Sequence, residues 1–352
     1  MNRRKLLSLL GITALIGSTG AAWASFARSR NPYYQGPISD HFNGLIFSDG
    51  RPVTKGLLDV WRWQTSKRNR ELFPPHYPAP PQDKPPARVE GLRIVHLGHA
   101  SFLYQMAGLN VLIDPVFAER ASPFSFIGPR RVNAPGVAFD DLPKIDIVLV
   151  THNHYDHLDL ATLEALHQRD QPRMIMPLGN DTILRARNPA IRAEAYDWSD
   201  KVALSNEIAV TLAPTYHWSA RGALDRRMAL WCSFVIETPQ AKVFHIGDTG
   251  YHDGSLYERL GVEYGPFRLA VLPIGAYEPR WFMGDNHMNP EEAVKVMLSL
   301  RAEQALGHHW GTFQLTDEGI ERPPEALKLA LAQAGLPEER FRPMQPGLSW
   351  EA

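Results

Sequence analysis

The fold of this chain is decided by residues 145–157, which read IDIVLVTHNHYDH. The first six residues are almost all apolar, as is typical of a strand that is buried on both faces. Four side chains of metal-ligand type follow within six residues: His152, His154, Asp156 and His157. His152 and His154 can project to the same side if the chain is still extended there. Neutral imidazole and carboxylate are ligands that zinc and similar divalent metals accept, so the pattern predicts a metal site at the end of a buried strand.

Strand and helix patterns alternate on both sides of this segment. Strands are predicted at Leu92–Leu97, Ser101–Gln105, Leu109–Ile113, Arg173–Met176, Val202–Ala213, Leu230–Glu237, Lys242–Ile246 and Leu269–Ile274. Helices are predicted at Leu57–Lys67, Leu160–His167 with Asp159 as N-cap, Pro290–Leu300 with Asn289 as N-cap, and Pro324–Ala334. Strands interleaved with helices indicate a layered α/β or α+β domain.

The charge balance argues against one class of protein, and the cysteine content excludes two kinds of structural feature. The 352 residues contain 37 Lys+Arg and 38 Asp+Glu. Beyond residue 24 the chain has four more acidic than basic residues, which argues against a nucleic-acid partner bound through a broad basic surface. Cys232 is the single cysteine, so an intrachain disulfide and a cysteine-rich zinc site are both excluded.

The N-terminal part of the sequence is predicted to contain a targeting segment followed by an extension. Residues 1–24 have a basic start, a short apolar run and an Ala-Trp-Ala end, as in an export signal or an N-terminal anchor. Their paired arginines resemble a twin-arginine signal, so we expect a periplasmic or envelope-attached protein. Residues 25–88 are predicted to form a proline-rich extension packed on the core, with seven prolines between residues 74 and 86. Residues 89–352 then form the main domain.

The His-x-His-x-Asp-His pattern after a hydrophobic strand resembles the metallo-β-lactamase superfamily. The resemblance implies an α+β fold, a four-layer αββα sandwich with two metal ions at one edge of its sheets. Further ligands are implied at His217, Asp248 and His309, because the family pattern asks for His, Asp and His downstream. One metal would be held by His152, His154 and His217, the other by Asp156, His157 and His309, with Asp248 as the bridge. His308 is the alternative to His309, but the His-Trp-Gly-Thr context favours His309.

Within the superfamily, four segments resemble the N-acyl-phosphatidylethanolamine phospholipases D and their bacterial relatives. They are HLGHASF at 96–102, IDPVF at 113–117, PIGAYEPRWFM at 273–283 and HMNPEEA at 287–293. The resemblance implies a phosphodiesterase that releases N-acylethanolamine and phosphatidic acid from a phospholipid at a membrane surface. Two divalent ions, with Zn²⁺ expected, would share a water and lower its pKa.

Several other residues are candidates for roles around the metals. His287 precedes a helix N-terminus, where it would stabilise a phosphate, protonate the leaving group, or merely bond to backbone. Tyr155 is expected either to hydrogen-bond the phosphate or to pack. Arg280 and Trp281 are predicted to bind substrate. Asp114 either orients a ligand imidazole or is a turn carboxylate. His96 and His99 are expected to be structural.

Alternatives remain at the level of substrate and of class. A loop between residues 117 and 131 interleaves aromatic residues with arginines, which suits either a lipid headgroup boundary or an ordinary core. The same metal site also suits a lactone or a small phosphodiester as substrate. A third reading is an envelope protein in which the metal is structural.

Overall fold

The structure is a computed structural model that describes residues 30–352, except residues 53–54 and 67–69. The predicted export signal at residues 1–24 lies outside the described residues. None of the described helices combines the length and the apolar character needed to cross a bilayer.

The described strands form two sheets of seven strands each. The strands are β1 (Leu92–Gly98), β2 (Ser101–Met106), β3 (Leu109–Ile113), β4 (Ile147–Leu149), β5 (Arg173–Pro177), β6 (Ala193–Tyr196), β7 (Lys201–Ala203), β8 (Ala209–Ala213), β9 (Ser233–Glu237), β10 (Lys242–His245), β11 (Phe267–Pro273), β12 (Ala302–His308), β13 (Phe341–Pro343) and β14 (Ser349–Glu351). The first sheet has the order β14-β1-β2-β3-β4-β5-β6, and the second has the order β13-β12-β11-β10-β9-β8-β7. Strands β3 to β6 are mutually parallel, as are β10 to β13, so their carboxyl ends point in one direction within each sheet.

The described residues form seven α-helices, and several of them cover the outer faces of the two sheets. They are α1 (Leu57–Thr65), α2 (Leu160–Asp170), α3 (Asn180–Arg187), α4 (Ser255–Glu263), α5 (Arg280–Met283), α6 (Pro290–Ser299) and α7 (Arg322–Gln333). Leu163 and Leu166 of α2 pack on the outer face of the first sheet, and Val296 and Met297 of α6 pack on the outer face of the second.

A third apolar layer lies between the two sheets. Phe102 and Tyr104 of the first sheet pack there with Phe234 and Leu269 of the second, and all four are fully buried. Burying both inner faces removes a large apolar area from water, which is the main force that holds the two sheets together. Together with the outer helices, this confirms the predicted α+β, four-layer αββα sandwich.

Local sequence signals explain where two helices begin. The Asp159 carboxylate accepts hydrogen bonds from the backbone N–H groups of Ala161 and Thr162 at the start of α2. Asn289 and Glu292 form a reciprocal capping box at the start of α6, whose first residue is Pro290. Both N-caps were predicted from the sequence, and both are confirmed.

Two predicted strands have different bounds in the structure. The single strand expected at Val202–Ala213 is wrong, because the chain turns between β7 and β8. The Ser205 hydroxyl accepts the backbone N–H groups of Glu207 and Ile208 in that turn. The strand expected at Leu230–Glu237 begins only at Ser233, since Leu230 and Trp231 pack instead against Phe42 and Phe47 of the N-terminal extension.

The described part of the extension contacts the main domain along its length. Near its start, the Asn31 side-chain amide donates a hydrogen bond to the Met228 carbonyl. In the proline-rich part, the backbone N–H groups of Tyr77 and Asp83 donate to the carbonyls of Val132 and Gly136. No helix or strand occurs between residues 70 and 91, as expected for proline-rich chain.

Candidate metal centre

The predicted ligands follow strands of both sheets. Residues 152–157 follow β4 of the first sheet, whereas His217, Asp248 and His309 follow β8, β10 and β12 of the second. The two sheets approach each other closely at this edge. Gly247 makes the approach possible, because a Cβ atom at this position would overlap the Thr151 hydroxyl. The sandwich therefore brings together side chains that lie far apart in the sequence.

One cluster consists of three histidines and a carboxylate. His152 Nε2 lies 2.9 Å from His154 Nδ1, and His217 Nε2 lies 3.2 Å from the same nitrogen. The Asp248 Oδ2 atom is 3.9 Å from His152 Nε2 and 3.6 Å from His217 Nε2. Three ring nitrogens that face one another beside a carboxylate form a donor set suited to a divalent cation.

A second cluster shares the same carboxylate. Asp248 Oδ1 lies 3.0 Å from His309 Nε2, and Asp248 Oδ2 lies 3.3 Å from His157 Nε2. Asp156 Oδ2 is 3.4 Å from His309 Nε2 and 3.6 Å from His157 Nε2. The seven ligand residues named in the sequence thus lie together, and Asp248 is the carboxylate that lies 3.0–3.9 Å from histidines of both groups.

The electrostatics of the two clusters differ. Burial lowers the pKa of His152 and His217 well below the usual value and that of His154 to about 4, so these rings are neutral at pH 7. Burial also opposes a charge on His157 and His309. Nearby Asp248 and Asp156 outweigh it, raising the pKa of His157 well above its usual value and that of His309 to about 9.

These charges supply a test of whether metal ions fit. His157 Nε2, His309 Nε2 and Asp248 Oδ1 are buried and have no well-formed hydrogen bond with any described residue. In the second cluster protons supply the positive charge that the two carboxylates require, and a bound cation would supply it with release of those protons. The donors are nitrogen and oxygen only, since Cys232 is buried in the apolar layer between the sheets. The residues present therefore fit divalent metals.

Hydrogen bonds behind the clusters hold two of the rings. Asp114 Oδ2 accepts from His157 Nδ1 at 2.7 Å and from the Thr151 hydroxyl at 2.6 Å, and its Oδ1 accepts from the Thr151 N–H at 2.7 Å. His217 Nδ1 donates to the Asn286 carbonyl at 3.1 Å. Each bond fixes the ring orientation and leaves Nε2 facing the cluster. Of the two expectations for Asp114, the geometry matches the one in which it orients a ligand imidazole.

His99 is a site residue that the sequence reasoning missed. It was expected to be structural, yet its Nε2 lies 2.9 Å from Asp156 Oδ2, and its ring is 4.0 Å from the His309 ring. The turn after β1 aims it there, since Gly98 has φ of 126° and His99 has φ of 55°. The Gly-His pair was the available signal, because glycine readily adopts positive φ.

The other two histidines considered nearby bond to backbone. His96, expected to be structural, hydrogen-bonds the His99 carbonyl at 3.0 Å. His308, the alternative to His309, bonds the Ile246 carbonyl at 2.8 Å.

His287 and Tyr155 both lie beside the clusters. His287 Nδ1 is 4.0 Å from Asp248 Oδ2, and this buried nitrogen has no hydrogen bond with a described residue. Burial lowers the pKa of His287 to about 4, so the ring is neutral at pH 7. The Tyr155 hydroxyl donates to the Arg221 carbonyl at 2.8 Å, and the Arg221 guanidinium lies 4.0 Å from the centre of its ring.

Neither of the two residues predicted to bind substrate, Arg280 and Trp281, lines the cavity beside the clusters. The Arg280 guanidinium forms two hydrogen bonds with Glu292, at 2.8 and 2.9 Å, and one with the His287 carbonyl at 2.8 Å. Trp281 lines a separate cavity beside α7. Successive helical residues point about 100° apart, so the next two residues of α5, Phe282 and Met283, line the cavity beside the clusters instead.

A cavity of about 320 Å³ adjoins the clusters. His154, Asp156, Asp248 and His287 form its metal side. Its other walls are largely apolar, with Lys55 and Arg226 as the cations, and include Val60, Trp218, Ala276, Phe282, Met283 and Leu315. Tyr155, Asn286 and Ala121 complete the lining. The site therefore combines a cation-binding end with room for apolar groups.

Comparison with known proteins agrees with this geometry. Residues 109–310 match the family model described as the Beta-lactamase superfamily domain. The chain therefore belongs to the metallo-β-lactamase superfamily and is a metal-dependent hydrolase. A metallo hydrolase of the archaeon Ignicoccus hospitalis has the same fold, with a TM-score of 0.55 and 21% identity over 74% of this chain and 98% of that one.

Within the superfamily, the chain is similar to one particular group. It is 33% identical to N-acyl-phosphatidylethanolamine-hydrolyzing phospholipase D 1 of Caenorhabditis elegans, over 88% of this chain and 93% of the worm protein. It is 37% identical to the mitochondrial N-acyl-phosphatidylethanolamine-hydrolyzing phospholipase D of Saccharomyces cerevisiae, over 67% of this chain and 51% of the yeast protein.

Proposed function

We propose that this protein is a phosphodiesterase of phospholipase D type that uses two divalent metal ions, with Zn²⁺ as the expected metal. Its substrate would be N-acyl-phosphatidylethanolamine, and its products N-acylethanolamine and phosphatidic acid. The observation that carries the proposal is a cavity with two ligand clusters at one end and apolar walls elsewhere. The similarity to the worm and yeast phospholipases supports it.

The reaction needs a cation site, a place for the phosphate and a donor for the leaving oxygen. Metal ions bound at the two clusters would supply Lewis acidity and lower the pKa of water toward neutrality. Asp248 would balance the charge of both sites, since its two oxygens face different histidines. Hydrolysis adds water to phosphorus and breaks the bond from phosphorus to the ethanolamine oxygen, which leaves as the alcohol once it receives a proton.

His287 is the side chain best placed to assist the phosphate. Its ring packs edge-on against His217, with ring centres 5.3 Å apart, and it lines the cavity. Because it is neutral, it would act by donating an N–H hydrogen bond to a phosphate oxygen or to the leaving oxygen, not as a preformed imidazolium. Tyr155 lines the same cavity, but its hydroxyl is already bonded to the Arg221 carbonyl, so its proposed contribution is through packing.

The surface around the cavity suits a lipid. Val60 of α1 and Ala121 of the loop at 117–131 both line the cavity. On the same two segments Leu58, Trp61, Phe124, Phe126 and Ile127 are exposed by 82%, 66%, 54%, 77% and 58%. Exposed apolar groups of this size beside a cavity mark a surface that contacts another apolar phase. We propose that this rim contacts the membrane from which the substrate enters.

A smaller substrate is the second candidate. A cavity of about 320 Å³ holds only part of a diacyl phospholipid, and its size also suits a lactone or a small phosphodiester. The third candidate is an envelope protein with a structural metal. The metal would then stabilise the fold, and no substrate would be hydrolysed.

One experiment separates these functions. The purified chain, with its metal content measured, is assayed against glycerophospholipids with and without an N-acyl group, bis-p-nitrophenyl phosphate and a lactone. We expect metal-dependent release of N-acylethanolamine, and Asp248→Asn should abolish it while circular dichroism stays unchanged. Turnover of the small substrates alone would favour the second candidate. Loss of folding with the metal, and no turnover, would favour a structural metal.

A further inference from the structure

A second cavity, of about 200 Å³, adjoins the metal-side cavity and has a different chemistry. We call it the basic pocket and define it by Arg51, Lys55, Arg226, Arg227 and His252. Lys55, Arg226 and Asn286 line both cavities, so the two are neighbours that share these side chains.

The cations of the basic pocket are only partly neutralised by described carboxylates. Asp49, whose side chain is 3% exposed, lies 3.1 Å from Arg51 Nε and 3.5 Å from an Arg227 Nη atom. Asp285 Oδ2 is 3.7 Å from Lys55 Nζ. Four cationic side chains thus face two carboxylates, which leaves an excess of two positive charges at neutral pH.

Arg226 is the cation with the most free binding capacity. It forms no ion pair with any described residue, and one Nη donates to the Lys55 carbonyl at 2.7 Å. Its Nε is buried and has no hydrogen-bond partner in the described chain, and the same holds for Arg227 Nε. The guanidinium lies 4.5 Å from the centre of the Trp218 ring, a cation–π contact. The second Nη atom of Arg226 has no hydrogen bond with a described residue, and we expect it to be the donor that an anion in the pocket meets.

The basic pocket is also connected to the metal centre through the backbone. The Asp285 carbonyl accepts from Arg51 Nη1 at 2.7 Å and from His252 Nε2 at 2.8 Å. The carbonyl of the next residue, Asn286, accepts from Nδ1 of the ligand His217 at 3.1 Å. A ligand that contacts Arg51 or His252 therefore contacts a side chain bonded one peptide away from the carbonyl that orients a metal ligand.

We propose that the basic pocket is a binding site for a phosphate monoester, separate from the metal clusters. A phosphate monoester carries about −1.5 to −2 charges at pH 7, which matches the excess positive charge of the pocket. Its three terminal oxygens accept several hydrogen bonds, as arginine donors require. The group is supplied either by a phosphatidic-acid headgroup or by a soluble phosphate. This inference goes beyond the proposed function, because it holds whatever ester the metal centre hydrolyses.

The first test measures binding of inorganic phosphate to the metal-loaded protein by equilibrium dialysis at constant ionic strength. Arg226→Gln should weaken binding by about tenfold or more, because it removes a charge-assisted donor. Arg226→Lys should weaken it less. Arg322→Gln is the matched control, since Arg322 is exposed and pairs with Glu71 away from the pocket, and it should bind like wild type. Equal phosphate affinity in wild type and Arg226→Gln would overturn the proposal.

The second test separates this pocket from the metal clusters. Asp248→Asn alters the clusters and leaves the basic pocket intact, so it should still bind phosphate, and adding Arg226→Gln should weaken that binding about tenfold. Absence of phosphate binding in a folded Asp248→Asn protein would overturn the proposal, because phosphate would then bind at the clusters alone. If that variant does not fold, Arg51→Gln takes its place in the dialysis series, because Arg51 lines the basic pocket and not the metal-side cavity, and equal phosphate affinity in Arg51→Gln and wild type would overturn the proposal.

The source of the phosphate is decided by vesicles. Phosphatidylcholine vesicles with and without phosphatidic acid are sedimented with wild type and with Arg226→Gln. A phosphatidic-acid headgroup as ligand predicts weaker sedimentation of the variant only when that lipid is present. A soluble phosphate as ligand predicts no difference with vesicles but the same tenfold difference in dialysis. The hydrolysis assay is independent of both tests, so failure of this proposal and failure of the proposed function give different results.

Discussion

Asp114 holds one ring of the metal centre, and replacing it by asparagine tests how the centre is built. Asp114 is completely buried and accepts three hydrogen bonds, one from His157 and two from Thr151. Asparagine has almost the same volume, so the apolar layers should not collapse. One side-chain oxygen becomes an NH₂ group, however. An NH₂ that faces Nδ1–H of His157 cannot accept its proton, so the ring must change its tautomer or turn away.

The expected loss is specific to one of the two metal sites. Removing a hydrogen-bond partner of a metal-bound imidazole typically lowers metal affinity about 10–100-fold, or about 1.4–2.7 kcal/mol. His157 belongs to the cluster with Asp156 and His309, whereas Asp114 makes no hydrogen bond with His152, His154 or His217. Asp114→Asn should therefore lose one metal equivalent to a chelator at a concentration about 10–100-fold lower than wild type, and the other equivalent should stay.

Metal content after equilibration with graded chelator concentrations measures this directly. Thr151→Ser is the matched control, because it keeps the hydroxyl that donates to Asp114. Circular dichroism reports whether the variant is folded. Equal retention of both metal equivalents in folded Asp114→Asn would refute the role of Asp114, and parallel loss of both would refute the division into two sites.

Three further predictions concern the phosphate, the membrane and the fold. His287→Ala should lower kcat about 100-fold with metal content unchanged, since a neutral donor to the phosphate is removed, and loss of metal together with activity would make His287 a ligand instead. Phe124→Asp combined with Phe126→Asp should reduce co-sedimentation with liposomes, because both side chains are exposed on the rim. Leu329→Asp on α7, which is also exposed, should leave it unchanged. Unchanged co-sedimentation of the double variant would show that the rim does not contact the membrane. Asn289→Ala should lower the free energy of unfolding by about 1 kcal/mol in urea titration, because it removes the N-cap of α6, and an unchanged midpoint would contradict the capping role.

Most of the metal centre was predictable because its ligands are concentrated in one short segment after a buried strand. Residues 152–157 could be interpreted without knowing the fold, and the downstream ligands followed from the family resemblance. His99 could not be assigned in this way, because its contact with Asp156 depends on the turn after β1. Sequence spacing carries little information about a contact between a hairpin turn and a loop that lies 57 residues further along.

Several other features were not predictable, because of short length, polar residues or dependence on tertiary packing. The short helices α3 and α5 have 8 and 4 residues, too few for a clear apolar period. The strand β12 contains Glu303 and Gln304 before its buried half, so its sequence does not resemble a core strand at its start. The pairing of Arg280 with Glu292 likewise depends on the packing of α5 against the start of α6, and the sequence alone gave no reason to expect it.

The position of Asp248 makes the two clusters interdependent. Its carboxylate faces histidines of both, and it follows β10 of the second sheet, whereas His152 and His157 follow β4 of the first. The separation of the two sheets therefore sets the distances in both clusters at once. Interiors are packed densely enough that a change of one methylene is transmitted. A substitution in the apolar layer between the sheets, such as Phe234→Leu, should then weaken both metal sites together, unlike Asp114→Asn, which acts on one.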